Sequence, residues 1–197
     1  MSFLQDKCSL FVPNQPTDMH GFSCGDEDLD AFFASDCFAY AKQLLGKTYC
    51  YRLDSDKKTI VSAFTLANAG IRVSDLPNSR KKKVEADIPH VKTLKDYPAV
   101  LIGRLGVSKD FRSMHVGSDI LEYIKYWFFD SNNKTGCRFV IVDAYNDAAT
   151  KAFYERNGFK TVFSSDEQEK EYRHLENDVH LTTRLMHFDL ISLTEDA

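Results

Sequence analysis

Between Asp26 and Gly46 apolar residues recur at helical spacing. Leu29, Phe32, Phe33, Cys37, Tyr40, Ala41 and Leu44 share one face, with Asp26 placed as an N-cap and Gly46 as a stop. The pattern predicts a helix lying on a sheet. Three strand-like runs follow, Lys47 to Leu53, Thr59 to Leu66 and Asn68 to Ser74, divided by the turn-rich Asp54 to Lys58 and by a tight Ala67-Asn68 corner. They predict an antiparallel meander. The next stretch, Asp75 to Pro98, is polar, holds three of the five prolines and carries the run Arg80 to Lys83, so it reads as an exposed insertion with one short helix outside the core.

From Ala99 the character changes. Ala99 to Ile102 and Leu105 to Val107 form a near-continuous apolar strand of the kind buried on both faces, which predicts a central position. After a polar turn, Ile120, Leu121, Ile124, Trp127 and Phe128 give a helical stripe with Trp127 and Phe128 in the core, and Arg138 to Ala144 gives a second buried strand. Strand, helix, strand predicts a parallel crossover. A further helix, Asp147 to Asn157, is expected to be capped by Asn146 and stopped by Gly158. Phe159 to Phe163 and Leu181 to Leu190 then read as late strands flanking a charged loop, Ser164 to Asp178. The fold class is α/β with a mixed sheet: an N-terminal antiparallel meander joined to a parallel βαβ unit with flanking helices.

At 197 residues the chain is expected to form one domain, residues 1–197. With 43% hydrophobic and 13% aromatic residues the composition is that of a soluble globular protein. No apolar run reaches the roughly 20 residues of a membrane span, and Met1 to Asp6 lack the basic and apolar regions of a secretory leader, so the cytoplasm is the expected location and no membrane is expected as partner. The five cysteines Cys8, Cys24, Cys37, Cys50 and Cys137 form no CxxC pair and read as reduced, mostly buried thiols. His20, His90, His174, His180 and His187 show no metal-ligand spacing, and no metal is expected. A net charge of −4 gives nucleic-acid binding no support from the total, although Arg80 to Lys83 form either a solvated face or a grip for an anionic partner.

The turn after the central strand reads Arg112, Ser113, Met114, His115, Val116 and Gly117, followed by Ser118 and the amphipathic helix. A helix start that follows a buried strand presents unpaired backbone N–H groups and the positive end of the helix dipole, a site for phosphate oxygens into which a diphosphate fits. The plainer reading is an ordinary strand-to-helix turn.

Two motifs in order weigh on that choice. Arg104 to Val107 leads into Arg112 to Gly117, and Asn146 to Phe159 follows with Ala149, Phe153, Tyr154, Gly158 and Phe159 at characteristic places. Over Ala99 to Phe163 the chain resembles the GNAT superfamily of acyl-CoA-dependent N-acetyltransferases, and its N-terminal order of helix then meander is similar too. The resemblance implies acetyl-CoA as acyl donor, with the pyrophosphate held by Arg112, Ser113, Met114, His115, Val116, Gly117 and Ser118. It implies an acetyl oxygen bound by N–H groups around Leu105, Gly106 and Val107, a pantetheine contact at Asn146, and Tyr154 protonating the CoA thiolate. In that family the first glycine of the turn occupies the place of His115, a residue type that tolerates left-handed backbone better than most. The general base stays unassigned, with Asp143 as a candidate.

The expected activity is transfer of an acetyl group to a primary amine of unknown identity. Phe22 to Gly25, Leu29-Asp30 and Ile102 to Val107 also look similar to the GNAT toxins of toxin–antitoxin pairs, which acetylate aminoacyl-tRNA, so nucleic acid enters as a partner if aminoacyl-tRNA is the acceptor. A catalytically silent acyl-CoA-binding module is the remaining alternative, and a homodimer is carried as an oligomeric option.

Overall fold

Asp26 caps the first long helical run, its carboxylate accepting the Leu29 N–H at 3.0 Å. A computed structural model describes residues 2–86, 88 and 94–194; His90 lies outside them. Backbone proximity divides the chain into two compact units, one through Ala67 plus Ile102–Trp127, the other Asn68–Leu101 and Phe128 onward. The hydrogen-bonded strand order is β1-β2-β3-β4-β5-β7-β6, with ranges as follows.

The first unit opens with α1 (Phe3–Lys7) and β1 (Cys8–Phe11), neither of which the hydrophobic pattern announced. The capped run comprises α2 (Glu27–Ala31), a π-helical turn at Phe32–Asp36 and α3 (Cys37–Lys42). A π turn inserts a residue and rotates everything downstream by about 100° relative to an unbroken α-helix. Phe32, Phe33 and Cys37 are therefore buried, whereas Tyr40 and Leu44, expected on the same face, are exposed, Leu44 to 92%. The helix also stops before Gly46: Leu44 takes the left-handed conformation (φ 58°) and the Leu45 N–H closes onto the Tyr40 carbonyl at 3.0 Å.

Strand β2 (Lys47–Leu53) pairs antiparallel with β1 and with β3 (Ile60–Arg72). No corner interrupts β3 at Ala67-Asn68; the two runs read as separate strands are one, because pairing along its length overrides the local turn preference of Ala-Asn-Ala-Gly. One apolar cluster gathers Met19, Phe32, Phe33, Cys37, Cys50, Ile60 and Ala63, and each fully buried large side chain such as Phe33 contributes roughly 1.5–3 kcal/mol. Helix α5 (Val116–Phe129) buries Val116, Ile120, Leu121 and Ile124. Trp127 and Phe128, expected in the core, are only half-buried, and Trp127 packs edge-on to Tyr49 with ring centroids 5.0 Å apart.

In the second unit, η-type turns apart, α4 (Asn78–Val84) is the short helix expected in the polar insertion. The insertion is not wholly outside the core, however. Leu76 and Val84 join Ile71, Val73, Tyr97, Phe139 and Phe163 in a second buried cluster, and β4 (Asp96–Val107) begins three residues before Ala99. Strand β4 stands fourth of seven, the central place predicted for it, and is joined through α5 to its neighbour β5 (Phe139–Tyr145). Helix α6 (Ala148–Arg156), the two-residue β6 (Lys160–Thr161), α7 (Asp166–Tyr172) and β7 (Thr183–Asp189) complete the unit, β7 pairing antiparallel with both β5 and β6. The segment Ser164 to Asp178, read as a charged loop, thus contains a helix.

All five cysteines are free, four of them buried and Cys137 partly so. Burial pushes the thiols of Cys8, Cys24 and Cys37 up to about 11 and that of Cys50 higher still. No helix among the described residues is long and apolar enough to cross a membrane.

Candidate active site

Strand β4 ends against the first unit's core. Ser108 is buried and its N–H donates to the Val61 carbonyl at 2.9 Å. A 3-10 turn, Lys109–Met114, carries the chain outward to His115, whose backbone lies in the left-handed region at φ 57°, ψ 13°. The turn reverses there because His115 accepts this conformation, as anticipated from its residue type. Its carbonyl takes the N–H groups of Ser118 and Asp119 at 3.0 and 3.1 Å, starting α5. Helix geometry provides no intrahelical partner for the N–H groups of Val116 and Gly117, and the helix dipole adds positive potential there. Arg112, Ser113, Met114 and His115 are exposed, Gly117 and Ser118 half-buried, so the mouth of α5 faces solvent. Chemically, it is suited to an anion.

The Ser23–Gly25 loop is built onto this turn. The Arg112 guanidinium donates to the Cys24 carbonyl, and the Lys109 N–H to the Ser23 carbonyl at 3.2 Å. Gly25 sits in the left-handed region (φ 80°), which disfavours any side chain, and its Cα lies against the flexible end of the Lys109 side chain. Asp30 locks the loop from the other side, accepting from Ser23 Oγ and the Cys24 N–H at 2.7 Å each and from the Gly25 N–H at 3.3 Å. Burial alone would push the Asp30 carboxyl up, but the hydrogen bonds from Ser23, Cys24 and Gly25 outweigh it and hold it below the usual carboxylate range. A carboxyl that titrates lower folded than unfolded stabilises above its unfolded value, about 3.9, and loses that contribution as pH falls through the folded value. Asp30→Asn is therefore expected to lower the urea midpoint at pH 7, by a difference that shrinks as the pH is taken below about 4. In β4, Leu105 and Val107 are half-buried, and Gly106 is fixed by packing because a Cβ there would meet Cys24 and Phe33 at 3.2 Å.

Asn146 and Tyr154 belong to the second unit. Asn146 does not cap α6; Asp147 does, its carboxylate accepting the Thr150 N–H at 2.8 Å. Asn146 is held instead by its own N–H to the Thr182 carbonyl (2.9 Å), by Nδ2 to the Leu181 carbonyl (2.9 Å) and by Lys151 Nζ on Oδ1 (3.0 Å). Asp147→Ala is accordingly expected to cost about 1 kcal/mol, read as a lower urea midpoint, with Asn146→Ala lacking that signature of a lost cap. Tyr154, 6% exposed, lies between Phe153 and Phe159 with ring centroids 5.1 and 5.4 Å away. Burial pushes its phenol above the ordinary tyrosine range, so it stays protonated throughout neutral pH.

Asp143 is engaged by the Arg173 guanidinium, which also contacts Glu169 at 2.8 Å. Glu169, with a fully buried side chain, further accepts Arg184 Nε at 2.6 Å and the Leu185 N–H at 2.6 Å, while Arg184 reaches Asp166 at 2.7 Å. In the sequence, Ser164 to Asp178 reads only as a charged loop and Asp143 as a candidate base, and nothing there joins them. The network's available signal was Ser165, whose hydroxyl caps α7 three residues before Gln168. Among the described residues no group of His, Cys, Asp and Glu side chains is arranged to hold a metal ion.

Residues 84–161, which span the His115 turn, α5, β5 and α6, match the family model of the acetyltransferase (GNAT) domain. No curated protein sequence matches the chain. Among solved structures, a tyrosine-to-phenylalanine variant of KacT is similar in fold with a TM-score of 0.72 at 18% identity, covering 98% of this chain and 100% of that one. AtaT complexed with acetyl-methionyl-tRNAfMet gives 0.70 at 16% identity over 95% and 98%. AtaTR bound with acetyl-CoA gives 0.71 at 15% identity over 96% and 98%.

Proposed function

We propose that this GNAT acetyltransferase domain moves an acetyl group from acetyl-CoA to a primary amine by direct attack. The observation that carries the reading is the exposed left-handed turn at His115, which opens the N-terminus of α5 to solvent inside the segment matching the family model. The cofactor's diphosphate is assigned to Arg112 to Ser118 and the pantetheine arm to Asn146. The amine nitrogen attacks the thioester carbonyl carbon, N–H groups of Leu105 to Val107 stabilise the oxyanion, the C–S bond breaks as sulfur takes a proton from Tyr154, and the proton the nitrogen loses passes through solvent to restore the phenol. The protonation state of Tyr154 supports this role, because a general acid must hold its proton at working pH.

Gly117→Trp is expected to weaken acetyl-CoA binding at least about tenfold by filling the approach to the helix N-terminus, measured by calorimetric titration. Unchanged affinity would move the diphosphate elsewhere. The reaction itself is tested by following thiol release from acetyl-CoA with a panel of primary amines and charged tRNA. No release above buffer with any acceptor would leave a silent acyl-CoA-binding module.

A narrower reading takes the amino group of an aminoacyl-tRNA as acceptor and an antitoxin as partner. It is favoured by the neighbours: AtaT was solved with acetyl-methionyl-tRNAfMet and with the C-terminus of the antitoxin AtaR, and KacTA with DNA. Net charge −4 weighs against a dedicated RNA surface. Expression should arrest growth under this reading, and acetylation of free amines in strong preference to charged tRNA would defeat it.

A further inference from the structure

Along the flank of α5 that starts one turn after His115, the first unit holds a cleft of about 500 Å³ between α1, β2 and α5. Its lining combines three tyrosines, Tyr51, Tyr123 and Tyr126, with two carboxylates, Asp119 and Glu122, and among the described residues it contains no lysine or arginine. Asp119, Glu122, Tyr123 and Tyr126 fall at positions i, i+3, i+4 and i+7 of α5 and so share one flank of that helix. The buried stripe Ile120, Leu121 and Ile124 faces elsewhere; Tyr123 packs against Tyr51 and Trp127, whereas Glu122 and Tyr126 are exposed and are not accounted for by burial.

The components are positioned. Tyr51 is buried and meets Tyr123 edge-on at 5.9 Å, and Ser2 Oγ donates to Asp119 Oδ2 at 2.5 Å, which fixes one carboxylate at the wall. Tyr126 (53% exposed) and Glu122 stand at the rim, free to adjust. Lys125 of the same helix interacts electrostatically with Glu122 but does not line the cleft. Tyrosine ring faces are negative and attract cations, most strongly when water is partly excluded, and two carboxylates in the same lining repel anions and give a neutral guest little. The volume falls within the roughly 300–1,000 Å³ typical of small-ligand sites.

We propose that this cleft binds an organic cation, a guanidinium or alkylammonium group, supplied either as a free small molecule or as a side chain of a basic segment. The proposal is independent of the acetyl-transfer reading. Trp127, the single tryptophan of the chain, lies 5.3 Å from Tyr123 and is a built-in reporter.

Titrations with Nα-acetyl-L-arginine amide, with a capped peptide carrying one arginine, and with neutral Nα-acetyl-L-citrulline amide are followed by Trp127 fluorescence and repeated by calorimetry. The expected result is saturable binding of the cationic probes, at least about tenfold tighter than citrulline amide, and weakened about tenfold in Glu122→Gln combined with Tyr126→Leu. Both substitutions are at exposed positions, and an unchanged thermal midpoint shows that the fold survives. Tighter binding of the peptide assigns the cation to a partner's basic segment, and tighter binding of arginine amide assigns it to a free molecule; either supports the site. Equal affinity for arginine and citrulline amides, an unaltered double variant, or no saturation up to about 20 mM overturns it.

Discussion

Replacing Tyr154 with phenylalanine is expected to lower turnover about 10²- to 10⁴-fold while leaving acetyl-CoA affinity within about twofold. The substitution removes one oxygen and keeps the ring, so the packing against Phe153 and Phe159 survives and loss of activity cannot be assigned to an unfolded chain. What disappears is a hydroxyl that burial keeps protonated across the neutral range. Single-turnover measurement with saturating acetyl-CoA isolates the chemical step. Retention of more than about a third of the rate would show that the thiolate leaves without help from this phenol.

Glu169→Ala should be the most damaging substitution for stability, at about 3–5 kcal/mol, or a fall of roughly 6–20 °C in Tm for a chain of this size. The side chain is 0% exposed and four donors converge on its two oxygens: Arg173 Nε and Nη2, Arg184 Nε and the Leu185 N–H. Removing the carboxylate leaves Arg184 Nε and the Leu185 amide hydrogen without their acceptor in a cavity, although Arg173 keeps Asp143 and Arg184 keeps Asp166. Asp166→Ala takes away the half-exposed partner of the same Arg184 and should cost no more than about 1 kcal/mol, because water replaces what is lost. Calorimetric melting of the two variants separates a buried anchor from surface decoration; equal losses would refute the distinction.

That anchor was invisible in the sequence for a physical reason. Asp166 to Tyr172 reads as solvated charge because nothing local distinguishes a glutamate with water on all sides from one with arginines brought in from β7 and from the end of α7 itself. Only the return of β7 makes Glu169 buried. Residues whose roles are local were legible: Asp26 as a cap, the borders of β2, Gly158 as the stop of α6, and His115 as a tolerable left-handed residue. Misreadings arose where a competing interaction won. Asn146 and Asp147 are both good caps, and the choice fell to Asp147 because Asn146 is occupied by the carbonyls of Leu181 and Thr182. The π turn at Phe32–Asp36 leaves no mark in a 3.6-residue periodicity, so Tyr40 and Leu44 were assigned to a face that the backbone rotates away from the core.

For the proposed site, the motif residues themselves were readable, whereas the brace behind them was not. Asp30, Ser23 and Gly25 could be noticed as a pattern, but the hold of the Cys24 carbonyl on Arg112 and of the Ser23 carbonyl on Lys109 depends on contacts across about eighty residues of chain.

The buried, proton-retaining thiols have a practical use. At pH 8 a sulfhydryl with a pKa near 11 is ionised only to about one part in a thousand. Aromatic disulfide dyes and maleimides, which consume the ionised form, should therefore react with Cys8, Cys24 and Cys37 slowly and late, so a colorimetric readout of liberated CoA need guard only against the partly buried Cys137.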